Sequence, residues 1–249
     1  MVEIPNLLLA SLPRKDYLKL LPGLWPATLA FGAVLYEPGR PMRSVYFPST
    51  ALVSLLTRVD GHLALEVGMV GREGMLGTPL ALGVKASPVR ALVQGEGQAL
   101  RMNGARFLRL FRRSPSLQHS VYGYLHSLMA QISQTAACNR FHLVDGRLAK
   151  WLLMTRDRVA AGEFRMTQEF LSHMLGVRRE GVTEAASVFQ KKNLIEYRRG
   201  KIRILDHRGL EAAACSCYAT GAGAIAPWRT VPRRPGRSVR RPAAGPIPS

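Results

Sequence analysis

The stretch that decides the fold runs from Met166 to Asp206 and reads MTQEFLSHMLGVRREGVTEAASVFQKKNLIEYRRGKIRILD. Thr167 is a residue type that caps the start of a helix, and Gly176 suits the tight turn that ends one. Between them, apolar residues form one stripe at helical spacing: Phe170, Leu171, Met174 and Leu175. A second helix is predicted from the buried-face spacing of Val182, Ala185, Ala186 and Phe189.

Two β-type runs close this stretch, around Leu194 to Tyr197 and from Ile202 to Leu205. They flank Arg198-Arg199-Gly200-Lys201 and so predict a basic hairpin, or wing. A helix-turn-helix reads duplex DNA by placing its second helix in the major groove. The stretch therefore predicts a winged helix-turn-helix.

The composition favours a polyanionic partner. Among 249 residues, 35 are Lys or Arg and 16 are Asp or Glu, which gives a net charge of +19. Such a surplus favours nucleic acid first and an anionic membrane second, although a merely solubilising surface would carry the same charge. Hydrophobic residues make up 47% of the chain, which is enough for folded cores.

We expect a cytoplasmic protein with no membrane partner. The Leu7–Leu9 run has no cationic segment before it and follows Glu3, which is unlike a secretory leader. No apolar run approaches the ~20 residues of a transmembrane helix. Cys138, Cys215 and Cys217 form no disulfide framework, which fits a reducing compartment.

Residues up to about 30 are interpreted as helical or irregular, and short β-type runs follow from about Leu29 to Met102. Turn residues separate the runs, and Asp60-Gly61 is the strongest hairpin signal. This regular spacing predicts an antiparallel sandwich or barrel. The runs are Ala33–Tyr36, Ser44–Phe47, Leu52–Thr57, Ala64–Val70, Val89–Gln94 and Gln98–Met102.

A long helix is predicted from Ser116 to about His142, since Gly123 is its one glycine and it contains no proline. Six residues follow the 4-3-4-3-4 spacing of a two-stranded coiled-coil seam: Val121, Leu125, Leu128, Ile132, Thr135 and Asn139. The polar Asn139 would fix the register of such a dimer. The alternative is a helix lying on its own β domain, but ~27 residues at ~1.5 Å each would extend past a small domain.

Two further segments complete the chain before its end. A helix is predicted from Asp145 to Val159, and a last short helix from Leu210 to Tyr218. Residues 219–249 are rich in Pro, Gly, Ala and Arg and are predicted to be disordered. The arginines of this tail would add nonspecific affinity for a duplex, unless the tail is inert.

The chain resembles Crp/Fnr-type transcription regulators, the catabolite-activator-like group, over residues 7–218. The stretches that carry the resemblance are Val45–Gly77, Cys138–Leu153, Leu175–Ile195 and Tyr197–Ile204. The resemblance implies an α+β fold with an N-terminal cyclic-nucleotide-binding-like antiparallel β-roll, a long dimerisation helix and a C-terminal winged helix-turn-helix. It also implies a homodimer on double-stranded DNA at a pseudo-palindromic promoter site, with RNA polymerase as a further partner.

The resemblance divides the chain into four segments. A β-roll sensor domain is expected over residues 1–113, and a dimerisation helix over residues 114–144. The winged helix-turn-helix would occupy residues 145–218, and the basic tail residues 219–249.

The resemblance implies that Arg179, Glu180 and Glu184 read base edges. Arg179 would donate two hydrogen bonds to a guanine, and Glu180 would accept from a cytosine amine. Arg178 stands where the family usually has a serine helix cap, and Glu184 where the best-known member has an arginine. Candidate contacts to the DNA backbone, each with solvated surface as the alternative, are Gln168, Arg178, Thr183, Arg199 and Lys201.

The sensor end departs from the family pattern for cyclic AMP. Met75 stands where a glutamate would bind the ribose hydroxyl, and Arg90 is out of register with the phosphate-binding arginine. We therefore expect an unidentified signal other than cyclic AMP. Arg90 is the one candidate for an effector-binding residue.

No metal or other cofactor is expected from the sequence. Cys138 and His142 have the spacing of two ligands on one helix face, but no further ligand lies near them in the sequence. Cys215 and Cys217 are interpreted as an inert pair. No carboxylate cluster or nucleophile–base set predicts an enzyme. The alternative to a sequence-specific regulator is a small-molecule-binding module, for cyclic nucleotides among others, with nonspecific affinity for nucleic acid.

Overall fold

The computed structural model describes residues 6–58, 64–159 and 163–219. The Asp60-Gly61 turn and the tail from residue 220 onward lie outside these residues. Among the helices of the described part, none is long and apolar enough to cross a membrane.

Two antiparallel sheets form a β-roll in the N-terminal part of the described chain. One sheet has the strand order β1-β7-β3 and the other β2-β6-β4-β5. Phe47, Val53, Val93 and Met102 are fully buried within the roll. The strands are β1 (Trp25–Leu29), β2 (Val34–Tyr36), β3 (Ser44–Pro48), β4 (Leu52–Thr57), β5 (Leu65–Val70), β6 (Arg90–Gly95) and β7 (Gly97–Asn103).

The predicted β-type runs are confirmed as strands β2 to β7, but strand β1 was missed. Pro26, the second residue of this strand, weakens its strand pattern, because proline is rare within a sheet. In the structure Pro26 pairs with Leu100 of β7. Strand β1 lies at the edge of its sheet, where a proline is tolerated because no further strand needs its missing N–H.

Helix α1 (Leu7–Ala10), α2 (Arg14–Leu20) and α3 (Gly104–Arg113) surround the roll, and the long helix α4 runs over Pro115–Phe141. The Ser114 hydroxyl accepts from the N–H of Leu117 and so caps α4. One face of α4 packs on the β-roll, where Leu117, Val121 and Tyr124 are buried. Gly74 is required at this contact, because a Cβ there would overlap the Tyr124 ring.

The C-terminal part is a helical unit with a small sheet. Helix α5 contacts α6, α7 and α8, and the sheet has the order β8-β10-β9. Leu148, Leu152, Leu171, Val182 and Phe189 form its buried centre. The elements are α5 (Val144–Arg158), β8 (Glu163–Arg165), α6 (Gln168–Leu175), α7 (Arg179–Lys191), β9 (Ile195–Arg198), β10 (Lys201–Ile204) and α8 (His207–Ala213).

Two buried carboxylates of the β-roll hold helix α5. The Nε of Arg158 donates to Oε1 of Glu73 at 2.9 Å, and both side chains are almost completely buried. The indole Nε1 of Trp151 donates to Oε1 of Glu66 at 2.8 Å. Because a buried charge without its partner costs about 3–5 kcal/mol, these contacts fix the helical unit against the roll.

The Glu66 carboxyl makes the stability of this joint depend on pH. Desolvation raises the pKa of Glu66 to about 7, above the value of an unfolded glutamate. The folded protein therefore binds this proton more tightly, and the free energy of unfolding falls as pH rises from about 4.5 to about 7. Glu66→Gln keeps an acceptor for Trp151 and removes this titration.

We expect Glu66→Gln to gain stability relative to the native protein as pH rises through this window, by up to about 3 kcal/mol. Denaturant unfolding of both proteins at about pH 4.5 and about pH 8 measures the difference. The exposed Glu96→Gln change is the matched control for the loss of a carboxylate. Parallel pH profiles for the native protein and Glu66→Gln would contradict the buried-carboxyl account.

Candidate nucleic-acid interface

The helix-turn-helix has the local geometry that its sequence predicts. The Thr167 hydroxyl accepts from the N–H of Phe170 at 3.1 Å and caps α6. Gly176 ends that helix at φ +60°, in the left-handed region that favours glycine. The predicted buried face of α7 is also confirmed, since Val182 and Phe189 are at most 2% exposed.

The opposite face of α7 is exposed and carries the predicted base-reading residues. Arg179, Glu180 and Glu184 all lie in the first two turns and are solvent-exposed. Over residues 6–58, 64–159 and 163–219, no ion pair or hydrogen bond engages their side chains. Arg178 precedes the helix as its N-cap residue and makes no side-chain capping bond. These side chains are therefore available to an external partner.

Helix α6 and the wing contribute to the same surface. Gln168, Arg179, Tyr197 and Arg199 line one shallow depression, although they lie far apart in the sequence. The Thr183 hydroxyl shares its one proton between Oε1 of Gln168 at 3.1 Å and the carbonyl of Arg179 at 3.0 Å. Within the described part of the chain, no hydrogen bond engages the amino group of Gln168. Burial raises the pKa of Tyr197, and its phenol donates to the carbonyl of Met166 at 2.9 Å.

The wing is a two-residue hairpin. Arg198 pairs with Lys201, and Arg199 and Gly200 between them have φ values of 50° and 72°. Positive φ at both loop residues is the pattern of a type I′ turn. Lys201 forms an ion pair with Glu163 at 2.7 Å, so a phosphate has to compete with that carboxylate for it.

The β-roll contains a cavity against α4, but Arg90 does not line it. The cavity has a volume of about 200 Å³. None of the described residues that line it is charged, and Met75, Leu125 and Ile132 are among them. The Nε of Arg90 instead lies 3.3 Å from a carboxylate oxygen of Glu37. The proposed effector residue is thus already paired, outside the cavity.

The predicted seam of α4 lies largely against its own β-roll. Val121 and Leu128 are buried there, so neither is available to a partner helix in this structure. Leu125 and Ile132 are half-buried against the same core. The side-chain oxygen of Asn139 accepts from Nη2 of Arg147 at 2.8 Å, so it is occupied within the chain. Thr135 is half-buried as well.

A cluster of three cysteines and a histidine lies where α4 ends. The Sγ atoms of Cys138 and Cys215 are 3.5 Å apart, and Sγ of Cys217 is 3.4 Å from Nδ1 of His142. The hydrogen bond with Cys215 lowers the pKa of Cys138, since the two sulfurs share a proton. The expectation that Cys138 and His142 have no further ligands near them is therefore wrong. The sequence does not indicate this cluster, because Cys215 and Cys217 lie next to the predicted tail and 77 and 75 positions separate the contacting pairs Cys138–Cys215 and His142–Cys217.

Comparison with known protein families identifies the type of the C-terminal helix-turn-helix domain. Residues 146–213 match the Crp-like helix-turn-helix domain family, whereas no curated protein matches the chain. The described part thus combines a β-roll, a long helix and a winged helix-turn-helix of the Crp-like type.

Solved structures with a similar fold cover about three quarters of this chain. A transcriptional regulator of the CRP family from Thermus thermophilus is 18% identical, with 76% of this chain and 96% of that chain covered and a TM-score of 0.64. The c-di-GMP-responsive global regulator CLP from Xanthomonas campestris is 16% identical, with coverages of 78% and 100% and a TM-score of 0.62. A Crp/Fnr-family regulator from Thermus thermophilus is 20% identical, with coverages of 76% and 98% and a TM-score of 0.62.

These findings confirm the family resemblance and the α+β fold class. Residues 146–213 belong to the Crp-like helix-turn-helix domain family, and the chain has the fold of Crp/Fnr-type transcription regulators. The three matched structures are those of regulators.

Proposed function

We propose that the protein is a homodimeric, sequence-specific DNA-binding transcription regulator that responds to a signal in its β-roll. The observation that carries the proposal is the exposed face of α7, where no hydrogen bond or ion pair among the described residues engages the side chain of Arg179, Glu180 or Glu184. Surface side chains of both charge signs, held on a helix and left unpaired, suit the donor and acceptor pattern of base edges. The net charge of +19 supports the same partner.

Residues in the first two turns of α7 contact the bases. Arg179 donates to O6 and N7 of a guanine, and Glu180 accepts from a cytosine amine. Glu184 has only acceptors at its tip, so it does not pair with guanine or phosphate. The half-site sequence of this protein therefore differs from that of relatives with an arginine at this position.

Contacts to the DNA backbone come from residues at the sides of the same protein surface. Gln168 offers its amino group because Thr183 occupies its carbonyl oxygen. Arg178 and Arg199 are exposed and reach outward beside α7. When the protein binds DNA, Lys201 leaves its ion pair with Glu163 and contacts a phosphate instead. Thr183 thus positions Gln168 and does not need to touch the phosphate itself.

A second copy is proposed to pack on the exposed face of α4. This face lies one residue beyond the predicted seam and keeps its 4-3-4-3-4 spacing: Tyr122, His126, Met129, Ser133, Ala136 and Arg140. Met129 is 66% exposed and Tyr122 is 49% exposed, so both gain from burial by a partner. A coiled-coil seam on this face would set two α7 helices ~34 Å apart on one side of the duplex.

The β-roll cavity is proposed as the signal site. Its apolar lining favours an apolar ligand over a cyclic nucleotide, whose phosphate needs a cation. Leu125, Met129 and Ile132 of α4 form one wall, and Met129 also belongs to the exposed stripe. A ligand there would touch both the roll and the proposed dimer face, and so could shift the two recognition helices together.

The base-reading assignment is tested by comparing Arg179→Ala with Lys201→Ala. Arg179→Ala should relax the preference at one base pair in each half-site, at a cost of about 1–3 kcal/mol on the preferred sequence. Lys201→Ala should weaken binding to all duplexes alike and reduce the salt dependence. Fluorescence anisotropy on the preferred site and on single-base variants of it measures both. Equal losses on every sequence for both variants would contradict the assignment.

The dimer face is tested by Met129→Glu. The added charge would be buried against a partner helix, so sedimentation should report a single chain at concentrations where the native protein is a dimer. Trp25→Glu is the matched control, since Trp25 is 68% exposed on strand β1 and so resembles Met129 in exposure but lies outside α4. A dimer that survives Met129→Glu unchanged would exclude this face as the seam.

A further inference from the structure

We propose that Cys138, His142, Cys215 and Cys217 bind one Zn²⁺ ion in a Cys₃His site. Their four ligand atoms all lie within 4.8 Å of one another. A tetrahedral zinc ion with bonds of about 2.0–2.3 Å needs ligand atoms about 3.3–3.8 Å apart. The separations of 3.5 Å between Cys138 and Cys215 and of 3.4 Å between Cys217 and His142 lie within that range. Small side-chain adjustments therefore complete the tetrahedron.

Secondary structure holds both halves of the site. Cys138 lies in the last turn of α4 and His142 is its C-cap residue, one turn further on the same side. Cys215 and Cys217 follow α8, where the N–H of Cys215 donates to the carbonyl of Gly146 at 3.1 Å. A Cβ on Gly146 would lie 3.2 Å from the Cys215 nitrogen, so glycine permits this close approach.

The charges around the cluster favour an anionic group. Arg147 and Lys150 are 8% and 7% exposed, and no ion pair within the described residues engages either one. Both interact electrostatically with Cys138, and all three residues line the same small cavity. Glu66 lines the same cavity and interacts with Lys150, so it is one anionic neighbour of these two cations. Two buried cations still require a second negative charge nearby. Zinc with three thiolates and a neutral imidazole carries one net negative charge and supplies it.

One sulfur of the cluster also accepts a hydrogen bond from a neighbouring side-chain amide. Nε2 of Gln134 donates to Sγ of Cys217 at 2.8 Å. Amide donors of this kind orient thiolate ligands and stabilise their charge in metal sites. Three thiolates and one imidazole are a ligand set found in structural zinc sites. Hard cations such as Mg²⁺ and Ca²⁺ are excluded, because they prefer oxygen ligands to thiolates.

The site is a structural one. Four protein ligands leave no open position for a substrate or water, and Cys138 and Cys217 are each 2% exposed. The ion would join the end of α4 to the segment after α8, across 77 positions of the chain between Cys138 and Cys215. It would therefore clamp both ends of the winged helix-turn-helix unit to the helix that carries the proposed dimer face.

Metal analysis of the full chain tests the proposal without any DNA. Protein purified under reducing conditions from zinc-supplemented cells should contain one zinc per chain. After chelation, Co²⁺ alone should give the intense visible bands of a tetrahedral site and the near-ultraviolet bands of thiolate–cobalt charge transfer. Zn²⁺ should then displace the cobalt and remove both sets of bands.

Cys215→Ser and His142→Ala should each lower zinc affinity by at least about 100-fold, measured by competition with a chromophoric chelator. His119→Ala is the matched control and should keep one zinc, because His119 is exposed near the other end of α4. Circular dichroism establishes that each variant is folded before it is titrated. Zinc retained at native affinity in both ligand variants would overturn the proposal. So would a folded native protein with three titratable thiols and no cobalt spectrum, since that result needs no variant.

Discussion

The buried ion pair between Arg158 and Glu73 determines how the two halves of this protein sit together. Arg158 is the largest fully buried side chain among the described residues, and it lies in the last turn of α5. Its partner Glu73 also accepts from the N–H of Gly71, and Nη1 of Arg158 donates to the carbonyl of Met154 at 2.9 Å. These hydrogen bonds engage Nε and Nη1 of Arg158 and the carboxylate of Glu73. Because α6, α7 and α8 all contact α5, the direction of the exposed α7 face follows from this pair.

The other end of helix α5 is held by contacts at the Cys/His cluster. Its first turn lies beside the Cys/His cluster, where the chain leaves α4 and where the segment after α8 returns through the Cys215–Gly146 hydrogen bond. An ion pair to the β-roll at one end and a clamp to α4 at the other would leave the winged helix-turn-helix little freedom relative to its own sensor. Motion that repositions α7 would then have to come from α4 as a whole. That is consistent with a signal cavity whose wall is α4 itself.

Local sequence signals predicted most of the fold. The cap at Thr167, the turn at Gly176 and the strand periodicity depend on neighbouring residues, and all appear in the structure. Strand β1 was missed because Pro26 masks its pattern. The dimer seam of α4 remains a prediction: the predicted residues pack largely on the β-roll of the same chain, and the same periodicity one residue further along gives the exposed face. The Cys/His cluster could have been found only by considering Cys138–His142 and Cys215–Cys217 together, and nothing local links pairs so distant in sequence.

The roles of Arg179, Glu180 and Glu184 remain predictions, because exposure alone does not assign a base contact.

The central claim is that two copies of α7 read one DNA sequence together. Selection of bound sequences from random duplexes by the full chain, at near-physiological salt, tests it most directly. The account predicts a palindromic consensus whose half-sites are centred about 10–10.5 base pairs apart, or a multiple of that spacing, and which contains a guanine or cytosine contact in each half. Uniform recovery of duplexes with no consensus, or a single unpaired half-site, would contradict it.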